Sequence, residues 1–99
     1  LVSDDALPVI ARFPALERLR IAKTTVTAAG LASLEKLPKL ADLDVSECVS
    51  IDDAALEPIG KVTSLERLNL WRVPIGDAGV THLATLTNLR WLNLDNTQL

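Results

Sequence analysis

The sequence predicts an α/β chain in which short parallel strands alternate with short helices, one pair to each repeat. Three observations carry that prediction. First, an apolar run of the form Leu-x-x-Leu-x-(Leu, Ile or Val) begins at Leu16, Leu40, Leu65 and Leu89, in steps of 24, 25 and 24 residues. Second, each of the first three runs leads into a further apolar series at helical spacing. Third, a unit of this length holds too few aliphatic side chains to offset a backbone ordering cost on the order of 1–2 kcal/mol per residue. The units must therefore stack on one another.

The elements follow in chain order. Residues 1–15 read as the second half of a unit, with Val2, Leu7, Ile10 and Phe13 as its buried stripe. Repeats at 16–39, 40–64 and 65–88 each contribute a strand and then a helix, and 89–99 supplies a last strand. Strand alternation turns Leu19, Leu43, Leu68 and Leu92 inward and their neighbours outward. The helical stripes are Val26, Leu31, Leu34 and Leu37, then Ile51, Leu56, Ile59 and Val62, then Ile75, Val80, Leu83 and Leu86. Each stripe suits a helix of about two to three turns. Ser3, Thr27, Asp52 and Gly76 are favoured N-caps, and Asp4, Asp53 and Asp77 fall in first turns, where a carboxylate suits the helix dipole. The third helical residue is always small: Ala6, Gly30, Ala55 or Gly79. Pro8 and Pro58 remove backbone donors inside two of the helices, which shortens them or makes them partly 3₁₀. The second repeat has one residue more than the others near Val49 and Ser50, which predicts a bulge there.

Composition narrows the function classes. Ninety-nine residues make one domain, 48% of them apolar, and the net charge is −3 with both signs mixed along the chain. A nucleic-acid binder would show a clustered basic excess. No apolar run is long enough to span a membrane. The single cysteine, Cys48, rules out an internal disulfide and suits a reducing, cytoplasmic compartment. The chain does not open on methionine, so it is expected to be a fragment of a longer protein or a processed form. Its apolar ends carry no polar capping repeat, and self-association through them is expected.

The pattern resembles the leucine-rich repeat family over the whole chain. The segments LDVSECVSIDDAAL and LNLWRVPIGDAGV are similar to its cysteine-containing and bacterial GALA-like subtypes. The resemblance implies a right-handed solenoid with the parallel sheet on the concave face and the helices on the convex face. It further implies a non-catalytic module that binds another protein or peptide. Two other roles follow from it: a scaffold segment of a longer solenoid, or a substrate-recognition segment attached to an F-box-like or effector domain. In commoner subtypes a polar ladder follows the strand; here Thr24, Cys48, Val73 and Thr97 hold those places, so the ladder is broken at Val73.

Outward strand residues form columns, since equivalent positions stack about 4.8 Å apart. The columns read Arg18, Asp42, Arg67, Trp91; Arg20, Asp44, Asn69, Asn93; Ala22, Ser46, Trp71, Asp95; and, at the strand ends, Lys23, Glu47, Arg72, Asn96. Charges alternate along them. Asp42 is expected to pair with Arg18 and Arg67, Asp44 with Arg20, and Glu47 with Lys23 and Arg72. Arg67 beside Trp91 predicts a cation–π contact. The last two repeats offer large amphipathic rings, which favours a partner-binding patch of Trp71, Trp91, Arg67, Arg72, Asn69, Asn93 and Asp95. With one histidine, His82, on an outward helical position and Cys48 at a packed turn, neither a catalytic group, a metal centre nor a cofactor site is expected.

Overall fold

A computed structural model describes residues 3–98; Val2 and Leu99, assigned above to a buried stripe and to the last half-unit, lie outside them. Four three-residue strands form one parallel sheet in chain order: β1 (Arg18–Arg20), β2 (Asp42–Asp44), β3 (Arg67–Asn69) and β4 (Trp91–Asn93). Four short helices lie between or before them: α1 (Leu7–Ile10), α2 (Ala28–Leu31), α3 (Leu56–Gly60) and α4 (Asp77–Val80). Each continues from or into a 3₁₀ turn, at Asp4–Ala6, Ala32–Lys36, Asp53–Ala55 and Thr81–Thr85. All four segments, including those without proline, are thus mixed 3₁₀ and α. No helix among the described residues is long and apolar enough to cross a membrane.

The register aligns Leu19, Leu43, Leu68 and Leu92 across the sheet. Leu43 and Leu68, with the partly buried Leu19 packed against them, join the helical stripes in one continuous apolar cluster between sheet and helices. Burial is graded along it. Leu43 and Leu68, flanked by strands on both sides, are fully buried, whereas Leu92 in the last strand is 38% exposed. Leu92 is therefore not a core residue in the sense expected of it, because β4 has a neighbour on one side only. Phe13 also departs from expectation: it is 62% exposed, because the chain leaves α1 after Ile10 and turns towards β1 before reaching it. Val49, at the extra residue of the second repeat, is 75% exposed, as a bulge requires.

Backbone pairing runs on past each strand. Lys23, Glu47 and Arg72 donate their N–H groups to the carbonyls of Ser46, Trp71 and Asp95 in the next unit. These three residues and Asn96 all adopt the left-handed conformation, with φ between 58° and 61°. The chain reverses there from strand towards helix, at a cost of about 1–2 kcal/mol for a residue with a Cβ. Below the turn, Cys48 donates its Sγ–H to the Ile21 carbonyl at 3.1 Å, and Thr24 Oγ1 lies 3.4 Å from the sulfur. The ladder position is thus a buried joint between units.

On the helix side the four N-caps fall where the sequence places them. Thr27 accepts from Ala29 N–H, and Asp52 accepts from Ala55 N–H. The first-turn carboxylates do more than complement the dipole. Asp4 accepts the Thr27 N–H at 2.7 Å and the Thr27 hydroxyl at 2.6 Å, and Asp53 accepts the Gly76 N–H at 2.8 Å. These bonds, the Thr27 hydroxyl first and its N–H second, hold the Asp4 carboxyl below its ordinary value of 3.8. Each carboxylate therefore clasps the helix start of the following unit.

Candidate functional site

The face of the sheet turned away from the helices carries the outward residues of β1–β4. The register places Arg18, Asp42, Arg67 and Trp91 in one row, and Arg20, Asp44, Asn69 and Asn93 in the next. Strands of only three residues leave two outward positions each, so the turn residues that follow supply the remaining rows.

In the first row, Asp42 lies 3.8 Å from Arg67 Nε, and the Arg67 guanidinium sits 4.5 Å from the centre of the Trp91 ring. The expected cation–π contact is present, and it leaves Arg67 flanked by a carboxylate on one side and an indole on the other. Arg18 forms no ion pair among the described residues, contrary to expectation. Asp42 faces two candidate cations across its neighbouring strands and reaches only one of them.

The second row corrects the sequence reading further. Asp44 does not pair with Arg20. Its Oδ1 accepts the N–H of Ser46 at 2.9 Å, and Asn69 and Asn93 do the same for Trp71 and Asp95, at 3.0 and 2.9 Å. A short Asx side chain reaches an N–H two residues on more readily than it reaches across to another strand. The oxygens of Asn69 and Asn93 are therefore committed to closing the strand-end turn, and only their NH₂ groups remain to meet a partner. Arg20 has no such acceptor, so the first unit lacks this turn bond.

The third and fourth rows lie where the strands end. Trp71 is half-buried, with the Arg72 guanidinium 5.3 Å from its ring centre, while Trp91 is 38% exposed. Asp95 is exposed and without an ion pair among the described residues. Glu47 reaches both neighbours as expected, Lys23 at 3.5 Å and Arg72 at 3.5 Å. Each of these exposed pairs contributes on the order of 0–1 kcal/mol. Trp91 stands opposite Arg67, four residues before Trp71 on the neighbouring strand, so the two rings make separate platforms, each topped by its own arginine.

Two open hollows of about 420 Å³ flank these platforms. One is lined by Glu17, Arg18, Arg20, Ala41, Asp42, Glu66 and Arg67. Sequence reasoning missed it, although a signal existed: Ala41 is a small residue in a column otherwise occupied by Glu17, Glu66 and Arg90. The other lies between Lys23, Glu47, Val49 and Arg72. It owes one wall to the extra residue of the second repeat.

Outside this face there is little reactive chemistry. Among the described residues, no three His, Cys, Asp or Glu side chains converge closely enough to hold a metal ion. His82 is half-buried beside Glu57, Lys61 and Thr85 on the helix side, and Cys48 is fully buried. Compared with known proteins, the chain matches no protein-family model and no curated relative.

Proposed function

We propose that this chain is a segment of a right-handed leucine-rich-repeat solenoid whose concave face binds another protein or peptide, without catalysis. The open face of the sheet is that concave face in this reading, and the helices lie on the convex side. The observation that carries it is the pair of arginine-topped indoles, Arg67 over Trp91 and Arg72 over Trp71. Stacking holds each guanidinium in place, so both groups meet a partner with little further loss of side-chain freedom. Tryptophan and arginine are also the side chains most often found at the energetic centre of protein interfaces. Asn69 and Asn93 contribute rigid NH₂ donors between the platforms, with Asp95 at the rim.

The test is capture of partners from the native proteome by the chain and by a Trp71→Ala/Trp91→Ala variant. Both rings lie outside the apolar cluster, so the variant is expected to keep its fold. Loss of a hot-spot ring weakens binding by about 2 kcal/mol or more. Equal recovery of the same partner by both proteins would overturn the concave-face reading.

A second reading, a scaffold segment whose role is stacking, is favoured by one observation. Asp42, Asp44, Glu47, Asn69 and Asn93 are all engaged within the chain itself.

A further inference from the structure

Side chains on the open face of the sheet differ in length from unit to unit. The second unit turns only short ones outward, Ala41, Asp42, Asp44 and Ser46, and all are half-buried or buried. Its neighbours stand taller, with Glu17, Arg18, Arg20 and Lys23 on one side and Glu66, Arg67 and Arg72 on the other, all exposed. Both hollows of about 420 Å³ are built on this step in height. One is floored by Ala41 and Asp42, the other by Glu47 and Val49, and in each the walls belong to the first and third units. They are the two ends of one trench that follows the second unit along the strand direction. Its floor and walls come from three paired units, so a further strand beside β1 or β4 would leave the trench as it is.

Width decides the shape of what can enter. β1 and β3 are two strand spacings apart, about 9.6 Å, which admits one extended chain but not a helix about 10–12 Å across. Depth decides its charge. The side chains of Lys23, Arg67 and Arg72 are 76%, 54% and 59% exposed, whereas their partners Glu47 and Asp42 are only 25% and 20% exposed. Asp44 is turned to the Ser46 N–H. Arg18 and Arg20 are exposed and form no ion pair among the described residues. A chain arriving from solvent therefore meets cations first, and stacking on Trp91 and Trp71 fixes those of one wall. At the strand-start end the exposed Glu17 and Glu66 close the trench to further negative charge. That leaves room for acidic residues only from Arg18 and Arg67 to Lys23 and Arg72, about 16 Å of extended chain.

We propose that this trench binds a short, extended, acidic segment of a partner protein, laid along β2 with its carboxylates between the two cationic walls. The inference rests on the concave-face reading and specifies the partner's chemistry. A nucleic-acid strand is disfavoured, because its phosphates repeat without interruption and would run on past Glu17 and Glu66.

The test uses a short fluorescein-labelled peptide of alternating glutamate and serine as the probe. Affinity is read by fluorescence anisotropy at low salt, and position by amide chemical shifts of the isotope-labelled protein. Saturable binding is expected, weakened by added salt, with shifts centred on residues 41–46 and none for the matching lysine–serine peptide. Arg18→Gln/Arg20→Gln is expected to weaken it about tenfold, the loss of two exposed ion pairs. Ala41→Gln changes no charge, and puts on the floor a side chain as long as Glu17 and Glu66 carry in the same column. It too is expected to weaken binding about tenfold, which separates a trench from a merely cationic surface. Circular dichroism first checks the fold of each variant. Absence of saturable binding, an unchanged affinity in Ala41→Gln, or equal affinity for a single-stranded oligonucleotide overturns the proposal. Shifts centred on Trp71 and Trp91 instead would overturn the trench and leave the concave-face reading standing. Failure of that reading appears separately, as equal partner recovery by the tryptophan variant.

Discussion

Replacing Gly79 with alanine is ordinarily a stabilising change in a helix, worth about 1 kcal/mol. Here the structure reverses the sign. The new methyl would stand 2.5 Å from Asp53 Oδ1, 3.2 Å from its Cγ and 3.1 Å from its Cα. The carboxylate can rotate away, but only by releasing the Gly76 N–H that it accepts at 2.8 Å. A hydrogen bond to a charged acceptor contributes about 1.5–3 kcal/mol. The contact with Cα involves backbone and cannot be relieved by rotation, so the two units must also separate slightly, a crowding cost of about 1–3 kcal/mol. The expected net loss for Gly79→Ala is about 2–4 kcal/mol, and each kcal/mol lowers the melting temperature of a domain this size by about 4–8 °C. Urea unfolding of Gly79→Ala, Asp53→Ala and the double variant forms a cycle that isolates the interaction. In the Asp53→Ala background the carboxylate contacts are gone and only the contact with the Cα remains, so the same Gly79→Ala change is expected to cost clearly less than in the parent. A Gly79→Ala protein more stable than the parent, or a cycle that closes to within about 0.5 kcal/mol, would refute the reasoning.

Three further outcomes are expected. Asp4 has a lowered folded-state pKa, so the stability it contributes is present above its ordinary value of 3.8 and is lost as pH falls through the lower folded value; Thr27→Val removes the largest cause, and urea midpoints measured between about pH 5 and 2 should then fall less steeply than in the parent. Asn69→Ala frees the Trp71 N–H and should cost about 0.5–1.5 kcal/mol, whereas Arg20→Asn supplies the turn bond missing from the first unit and should gain about as much, both read by thermal melts. Leu68→Asp places an unpaired carboxylate at a fully buried central position and is expected to unfold the chain, which a retained circular-dichroism spectrum and melting point would contradict.

The backbone plan was legible because its signals are additive over four copies. Leu19, Leu43, Leu68 and Leu92 repeat at a spacing that admits one register, and a single copy would have been ambiguous. The N-caps were legible for the same reason. Side-chain pairing across the sheet was not. Asp44 opposite Arg20 satisfies the charge pattern, yet a backbone N–H two residues away is nearer than a guanidinium on the next strand. Phe13 fitted the apolar spacing, but spacing does not say where the chain leaves the helix. The exchange of Gly30 and Gly79 for Ala55 was visible in the sequence as an alternation of small residues. Its cause was not, because the partner carboxylates lie 26 residues earlier and in another unit. Of the candidate residues, Trp71, Trp91, Arg67 and Arg72 fall on one sheet face in paired contacts, while Asn69 and Asn93 have a structural duty at the turns.

The gradient of burial, complete at Leu43 and Leu68 and relaxed at Leu92, has a kinetic counterpart. Each strand is hydrogen-bonded only to the strands next to it, so the chain can open from an end without disturbing its middle. Amide protons of β2 and β3 should exchange with solvent only through global unfolding, while those of β4 exchange through local fraying at a smaller free-energy cost. Stability in this protein is therefore a profile along the sheet. The Trp91 platform stands on an edge strand, and the Trp71 platform is anchored one strand further in.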